Sequence, residues 1–221
     1  MTQNTSTNVP AAPVETPVVV VAFYKFVALP DFEALRPSLQ TLCQKHGVLG
    51  TILLAKEGIN GTVSGPREEL QTLMDYFAAT PRFADIVTKF SFAETQAFHR
   101  MKVRLKNEIV SMGQPDIDPV GDVGAYVKPE QWNALIEDPD TLLIDTRNQY
   151  EVAIGTFEGA VDPETNSFSE FPEWVDTYLA DLKDDEKPKN IAMFCTGGIR
   201  CEKATAYLVG QGFDNIFHLE G

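Results

Sequence analysis

Cys195-Thr196-Gly197-Gly198-Ile199-Arg200 puts a nucleophile, two glycines and a permanent cation within one short segment of this 221-residue chain. The apolar residues 191–194 ahead of it read as a strand, and residues 200–209 after it read as a helix. Cys195 therefore stands at the C-terminal end of a strand, where open α/β sheets place their ligands. Glycines let several backbone N–H groups turn toward the sulfur, and the helix N-terminus adds partial positive charge, so a thiolate at Cys195 is favoured. Arg200 supplies a full positive charge beside it. Such a loop suits a thiolate or a persulfide anion, and it can hold an anionic substrate over the sulfur. The plain alternative is a strand-to-helix turn with an ordinary buried cysteine.

Other reactive residues are few. Cys201 lies just inside the helix and reads as a small buried residue, with a role as resolving thiol for an oxidised Cys195 as the alternative. Cys43 falls on a helix as core. Asp145, Arg147 and Glu151 read as a structural ion-pair set ahead of direct catalysis. Three cysteines without CxxC spacing and only three histidines do not make a closed zinc site, so no metal is expected. An unpaired thiol count also points to a reducing compartment. No Lys or Arg precedes Val18, so the basic start of a secretory signal is missing, and the apolar run from Val18 ends at Phe23, far short of a membrane span. A cytoplasmic protein without a membrane partner is expected.

In the first half, residues 18–27 are β-branched and aromatic and predict a central strand. Phe32, Leu35, Leu39 and Leu42 recur at helical spacing over 31–46, with Asp31 as the cap. A strand over 48–55 follows, then Asn60-Gly61 as a hairpin turn before Thr62. A helix over 66–78 carries Leu70, Leu73, Met74 and Phe77, and a strand over 86–92 completes a ferredoxin-like α+β domain spanning 18–113. Residues 1–17 read as a disordered leader. Over 99–110, Met101, Val103 and Leu105 alternate with Arg100, Lys102, Arg104 and Lys106, which gives an extended segment one apolar and one basic face. That strip is either an edge strand protected by charge or a phosphate contact.

Residues 114–123 read as a linker. From 124 to 221 short strands at 142–144, 191–194 and 216–219 alternate with helices at 132–136, 171–182 and 200–209, with a charged loop over 184–189. This alternation predicts an α/β domain with a parallel sheet covered on both faces. The chain stops directly after a strand, which leads us to expect truncation at the C-terminus. The net charge of −14 is unevenly placed: residues 1–113 carry 11 Lys and Arg against 10 Asp and Glu, and residues 114–221 carry 7 against 22. Only the first half is suited to approach phosphate.

Asp145-Thr146-Arg147, Glu151, Gly155-Thr156-Phe157-Glu158-Gly159-Ala160 and the Cys195–Arg200 loop together resemble the rhodanese family over residues 124–221. In that family the loop cysteine carries a persulfide. Related phosphatases place five residues between Cys and Arg, and the four present here suit sulfur better than phosphate. Thr156 replaces the family's usual His, a change expected to alter local hydrogen bonds without touching the loop.

Glu57-Gly58-Ile59-Asn60-Gly61-Thr62 and the segment from Met101 to Val110 narrow the resemblance to the rhodanese-domain tRNA uridine hydroxylase family. The resemblance implies oxygen-dependent conversion of the wobble uridine, position 34 of tRNA, to 5-hydroxyuridine. It implies O2 as co-substrate, tRNA as partner, Cys195 and Arg200 as catalytic residues within the loop Thr196, Gly197, Gly198 and Ile199, and Arg100, Lys102, Arg104 and Lys106 as tRNA contacts. No other cofactor is evident. A persulfide-forming sulfurtransferase is the alternative, and a noncatalytic binding module is a third reading that the intact Cys195 and Arg200 disfavour.

Overall fold

The computed structural model of the chain describes residues 8–10, 18–121, 123–183 and 187–220. It divides into two compact units, whose main spans are residues 3–109 and 110–221.

In the first unit, β1 (Val18–Phe26), α1 (Phe32–Lys45), β2 (Leu49–Ala55), β3 (Gly58–Pro66), α2 (Arg67–Ala79) and β4 (Val87–Ala93) follow the expected ferredoxin-like order. A further strand, β5 (Met101–Leu105), joins the edge, so the sheet order is β4-β1-β3-β2-β5, with β5 parallel to β2. One face is built by period-two alternation: Val19, Val21 and Phe23 on β1 and Ile52 and Leu54 on β2 pack with Leu35 and Leu39 of α1 and Leu70, Leu73 and Phe77 of α2.

Three expectations change here. Asn60-Gly61 is not a turn; it lies inside β3, and the chain reverses at Lys56 and Glu57. Gly61 is required for packing, because a Cβ there would sit 2.6 Å from the Phe23 ring. Asp31 stands before α1 but makes no side-chain cap bond; its carboxylate is held by both Arg82 Nη atoms at 2.6 and 2.9 Å. Within the expected leader, Val9 is buried in the core, its N–H donating to Gln71 Oε1 at 2.9 Å and its carbonyl accepting from Arg67 Nε at 3.0 Å. An apolar side chain with both backbone groups satisfied is thus ordered on α2. Residues 1–7 and 11–17 lie outside the described residues.

The second unit contains β6 (Ala125–Val127), α3 (Pro129–Ile136), β7 (Thr141–Asp145), α4 (Gln149–Val152), α5 (Phe171–Asp181), β8 (Asn190–Phe194), α6 (Ile199–Gly210) and β9 (Ile216–Leu219). Its four strands run parallel in the order β6-β9-β8-β7. Both faces are covered, as the alternation of apolar strands and helices implied. Ile144, Ile191 and Met193 face α5 and α6, while Leu143, Ala192 and Phe194 face Trp132 of α3. The strand β6 and the one-turn α4 were not legible from the residues, being too short for a periodic signal. The boundary falls near residue 109, ahead of the expected 113, because Met112 is buried in this second core and Ile117, in the expected linker, packs against it. Of the charged loop at 184–189, residues 184–186 lie outside the described residues.

Candidate active site

Cys195 leaves the end of β8, and the chain turns into α6 through Gly198, whose φ of 92° is a conformation that glycine alone adopts without strain. The turn directs the Gly198 N–H at Cys195 Sγ, 3.1 Å away. A hydrogen bond from the Cys201 thiol, the charge of Arg200 and further backbone N–H groups outweigh the opposing effect of burial and bring the Cys195 thiol down to about 5. Cys195 is consequently a thiolate at neutral pH.

Cys201 is fully buried, and burial together with the neighbouring Cys195 anion pushes its own thiol well up. It remains protonated and donates. Its sulfur also lies 3.5 Å from the Thr146 hydroxyl, which bonds the Phe194 carbonyl at 3.0 Å. The sequence reading of Cys201 as a small buried residue stands, and α6 also brings its thiol into a hydrogen bond with the Cys195 sulfur.

Arg200 does not stand free beside Cys195. Its Nη1 and Nη2 reach Glu151 Oε2 and Oε1 at 2.6 and 2.8 Å, and Nη2 also reaches the Thr196 hydroxyl at 3.2 Å. Thr196 in turn donates to Glu151 Oε1 at 2.7 Å. Arg200, with Thr196 assisting, holds the Glu151 carboxyl down at about 2. The expected set of Asp145, Arg147 and Glu151 thus separates into two pairs. Glu151 belongs to the loop, and Asp145 belongs with Arg147, which bonds it through Nη2 at 2.7 Å. Asp145 is buried and also accepts from Thr156 Oγ1 at 2.8 Å, so Thr156 acts on the pocket wall and not on the Cys195 loop.

A cavity of about 400 Å³ opens on Cys195, lined by Arg147, Thr156, Phe157, Phe194 and Thr196 among others. Phe157 and Phe194 meet edge to face with centroids 4.8 Å apart, and the Arg147 guanidinium lies over Phe194 at 5.6 Å. Volume and lining suit a small planar ring with polar edges. Phe157 and Phe194 were not singled out in the sequence, although the apolar residue next to a reactive cysteine was a usable signal. Among the described residues no group of three or more His, Cys, Asp or Glu side chains could hold a metal ion. Among the described residues no helix is long and apolar enough to cross a membrane.

In the first unit, Lys102 and Arg104 lie on β5 with Arg100 and Lys106 flanking it. Lys102 pairs in register with Thr51 and Arg104 with Leu53. The charges of Arg100 and Arg104 lower the proton affinity of Lys102.

Residues 18–109 match the UPF0176 acylphosphatase like domain, and residues 128–221 match the rhodanese-like domain. The chain is 57% identical over 203 residues to a tRNA uridine(34) hydroxylase of Acaryochloris marina, covering 92% of this chain and 64% of that protein. It is 56% identical to one of Mesorhizobium japonicum, covering 96% and 67%, and 55% identical to one of Agrobacterium fabrum, covering 98% and 68%. The chain spans about two thirds of the length of these relatives. At such identity over most of the chain, together with the paired domains and the Cys195 loop, this chain belongs to the tRNA uridine(34) hydroxylase family.

Proposed function

We propose that the protein hydroxylates C5 of the uridine at position 34 of tRNA, using O2 and the Cys195 thiolate, in the cytoplasm. The observation that carries this reading is the thiolate at the mouth of an aromatic-lined cavity of base size, and the names of the relatives supply the substrate.

Cys195 Sγ adds to C6 of the uracil, and the C5–C6 π pair moves toward C5 and O4. C5 passes two electrons to O2, forming a C5 hydroperoxide after protonation. A two-electron thiol-class reductant then cleaves the O–O bond with two protons, leaving the C5 hydroxyl and water. Loss of the C5 proton expels Cys195 and restores the double bond. Arg147 and the Phe157–Phe194 wall orient the ring, while Glu151 and Thr196 keep Arg200 placed. Arg100, Lys102, Arg104 and Lys106 are assigned to phosphate contacts.

Nucleoside mass spectrometry of tRNA from cells lacking the gene, complemented with parent or Cys195→Ala, tests the reading. The expected result is loss of 5-hydroxyuridine derivatives restored by the parent alone; restoration by Cys195→Ala overturns it. A second reading rests on the Gly198 N–H at 3.1 Å from Sγ, which would equally stabilise a persulfide. Thiosulfate-dependent thiocyanate formation by Cys195, with tRNA unchanged, would favour sulfur transfer.

A further inference from the structure

The β-sheet of the first unit has one face under α1 and α2, and among the described residues of that unit no helix lies on the other. Its registers align a complete row across all five strands of that second face: Lys89 opposite Ala22, Ala22 opposite Thr62, Thr62 opposite Thr51, and Thr51 opposite Lys102. Ala22 and Thr62 are exposed, and Thr51 is half-buried. The next row, Thr88, Phe23, Gly61, Ile52 and Val103, points the other way into the core. Small floor residues, two of the three bearing hydroxyls, therefore run between a lysine on each edge strand. At the usual spacing of neighbouring strands, the two lysine Cα atoms stand about 19 Å apart. Arg104 lies beside Lys102 on the same face, two residues along β5.

The edge is already protected at the middle of β5 without these cations: Val103 N–H donates to Gln40 Oε1 at 3.0 Å, and Val103 O accepts from Arg36 Nε at 3.1 Å, both from α1. Arg100, Lys102 and Arg104 also stand near enough for their like charges to oppose one another, an arrangement that a polyanion relieves.

We propose that this helix-free face holds a single-stranded stretch of RNA by its sugar–phosphate backbone, laid across the sheet from Lys102 and Arg104 to Lys89 over the Ala22–Thr62–Thr51 floor. The assignment rests on tRNA being the substrate. Small side chains let a strand approach the sheet closely, and threonine hydroxyls bond phosphate and 2′-hydroxyl oxygens. Tyr24, in the row beyond, is buried, so the face offers no exposed aromatic for base stacking. Recognition is consequently tolerant of sequence.

Fluorescence anisotropy of the 221-residue chain with a labelled oligouridylate, an oligoadenylate and an RNA duplex of equal length tests this. Lys89→Glu/Lys102→Glu should raise Kd for both single strands by about tenfold or more and flatten the log Kd against log salt slope by about 1.4. Thr62→Arg, in mid-row, should tighten binding, and Lys45→Glu, at the end of α1, should leave it within about twofold. Unchanged affinity in the double variant, equal weakening by Lys45→Glu, or preference for the duplex overturns the proposal. Single-strand binding with these variant effects, but no hydroxylated uridine in the complementation assay above, would sink the hydroxylase reading and leave the surface standing. Hydroxylation without the variant effects would do the reverse.

Discussion

Arg200 grips Glu151 with both guanidinium nitrogens, at 2.6 and 2.8 Å, and so links the Cys195 loop to the one-turn helix α4. The cation that favours the thiolate is itself fixed by a carboxylate from a different segment. A bidentate pair of this kind sets direction as well as charge. The same carboxylate accepts from Thr196, so the loop is tied down at both of its ends.

Glu151→Gln should leave Cys195 a thiolate, because a negative charge is removed while Arg200 stays positive. It should nevertheless slow hydroxylation, since the neutral amide no longer fixes the guanidinium. Above the ordinary carboxylate value the parent has the full contribution of the ion pair, roughly 1–2 kcal/mol after solvent screening. That contribution is lost as pH falls toward about 2. Chemical unfolding at neutral pH, alongside the alkylation profile of Cys195, checks both statements; a raised Cys195 value in Glu151→Gln would contradict the first.

Alkylation of Cys195 by iodoacetamide should rise with pH through a midpoint near 5 and level off above it. In Cys201→Ala the midpoint should move up, because the leading hydrogen bond to the thiolate is lost. Residual reaction from Cys43 is excluded by its burial, which pushes that thiol up to about 12. An unchanged midpoint in Cys201→Ala would mean that the loop N–H groups and Arg200 suffice alone.

His218 is buried in β9, with Nδ1 3.3 Å from Thr205 Oγ1, and burial lowers it to about 4. Its folded value lies below its unfolded value, so the unfolded chain takes up the proton first. Stability should therefore be full above about pH 6.5 and fall between there and 4, by on the order of 2–3 kcal/mol. Denaturant midpoints measured across that window should show the decline, and His218→Asn should flatten it.

Gly61→Ala should destabilise the first unit by about 1–3 kcal/mol, because its methyl group would meet the Phe23 ring and the carbonyl of Thr51 across the sheet. Thermal melting gives the loss directly. Combining it with Phe23→Leu should recover part of the melting temperature, which a simple turn residue at position 61 would not do.

The Cys195 loop, the two domain types and most helices and strands were written in local order: apolar periodicities of two and 3.6, glycines after a strand, and a fixed Cys–Arg spacing all act over a few residues. Asn60-Gly61 shows where that local signal misleads, since a hairpin dipeptide and a glycine chosen to admit Phe23 look alike until the neighbouring strand is in place. The pairing of Arg200 with Glu151, 49 residues apart, was outside the reach of spacing rules. So was the cavity wall from Phe157 and Phe194, while the contact of Cys201 with Cys195, which the sequence offered only as the alternative of a resolving thiol, was decided by how α6 winds after Gly198. Likewise the basic strip was visible as alternation, but the row from Lys89 to Lys102 exists only because strand registers bring five distant positions into line. Side chains that act together across a fold are chosen by register, burial and helix phase, and those are settled only when the elements pack.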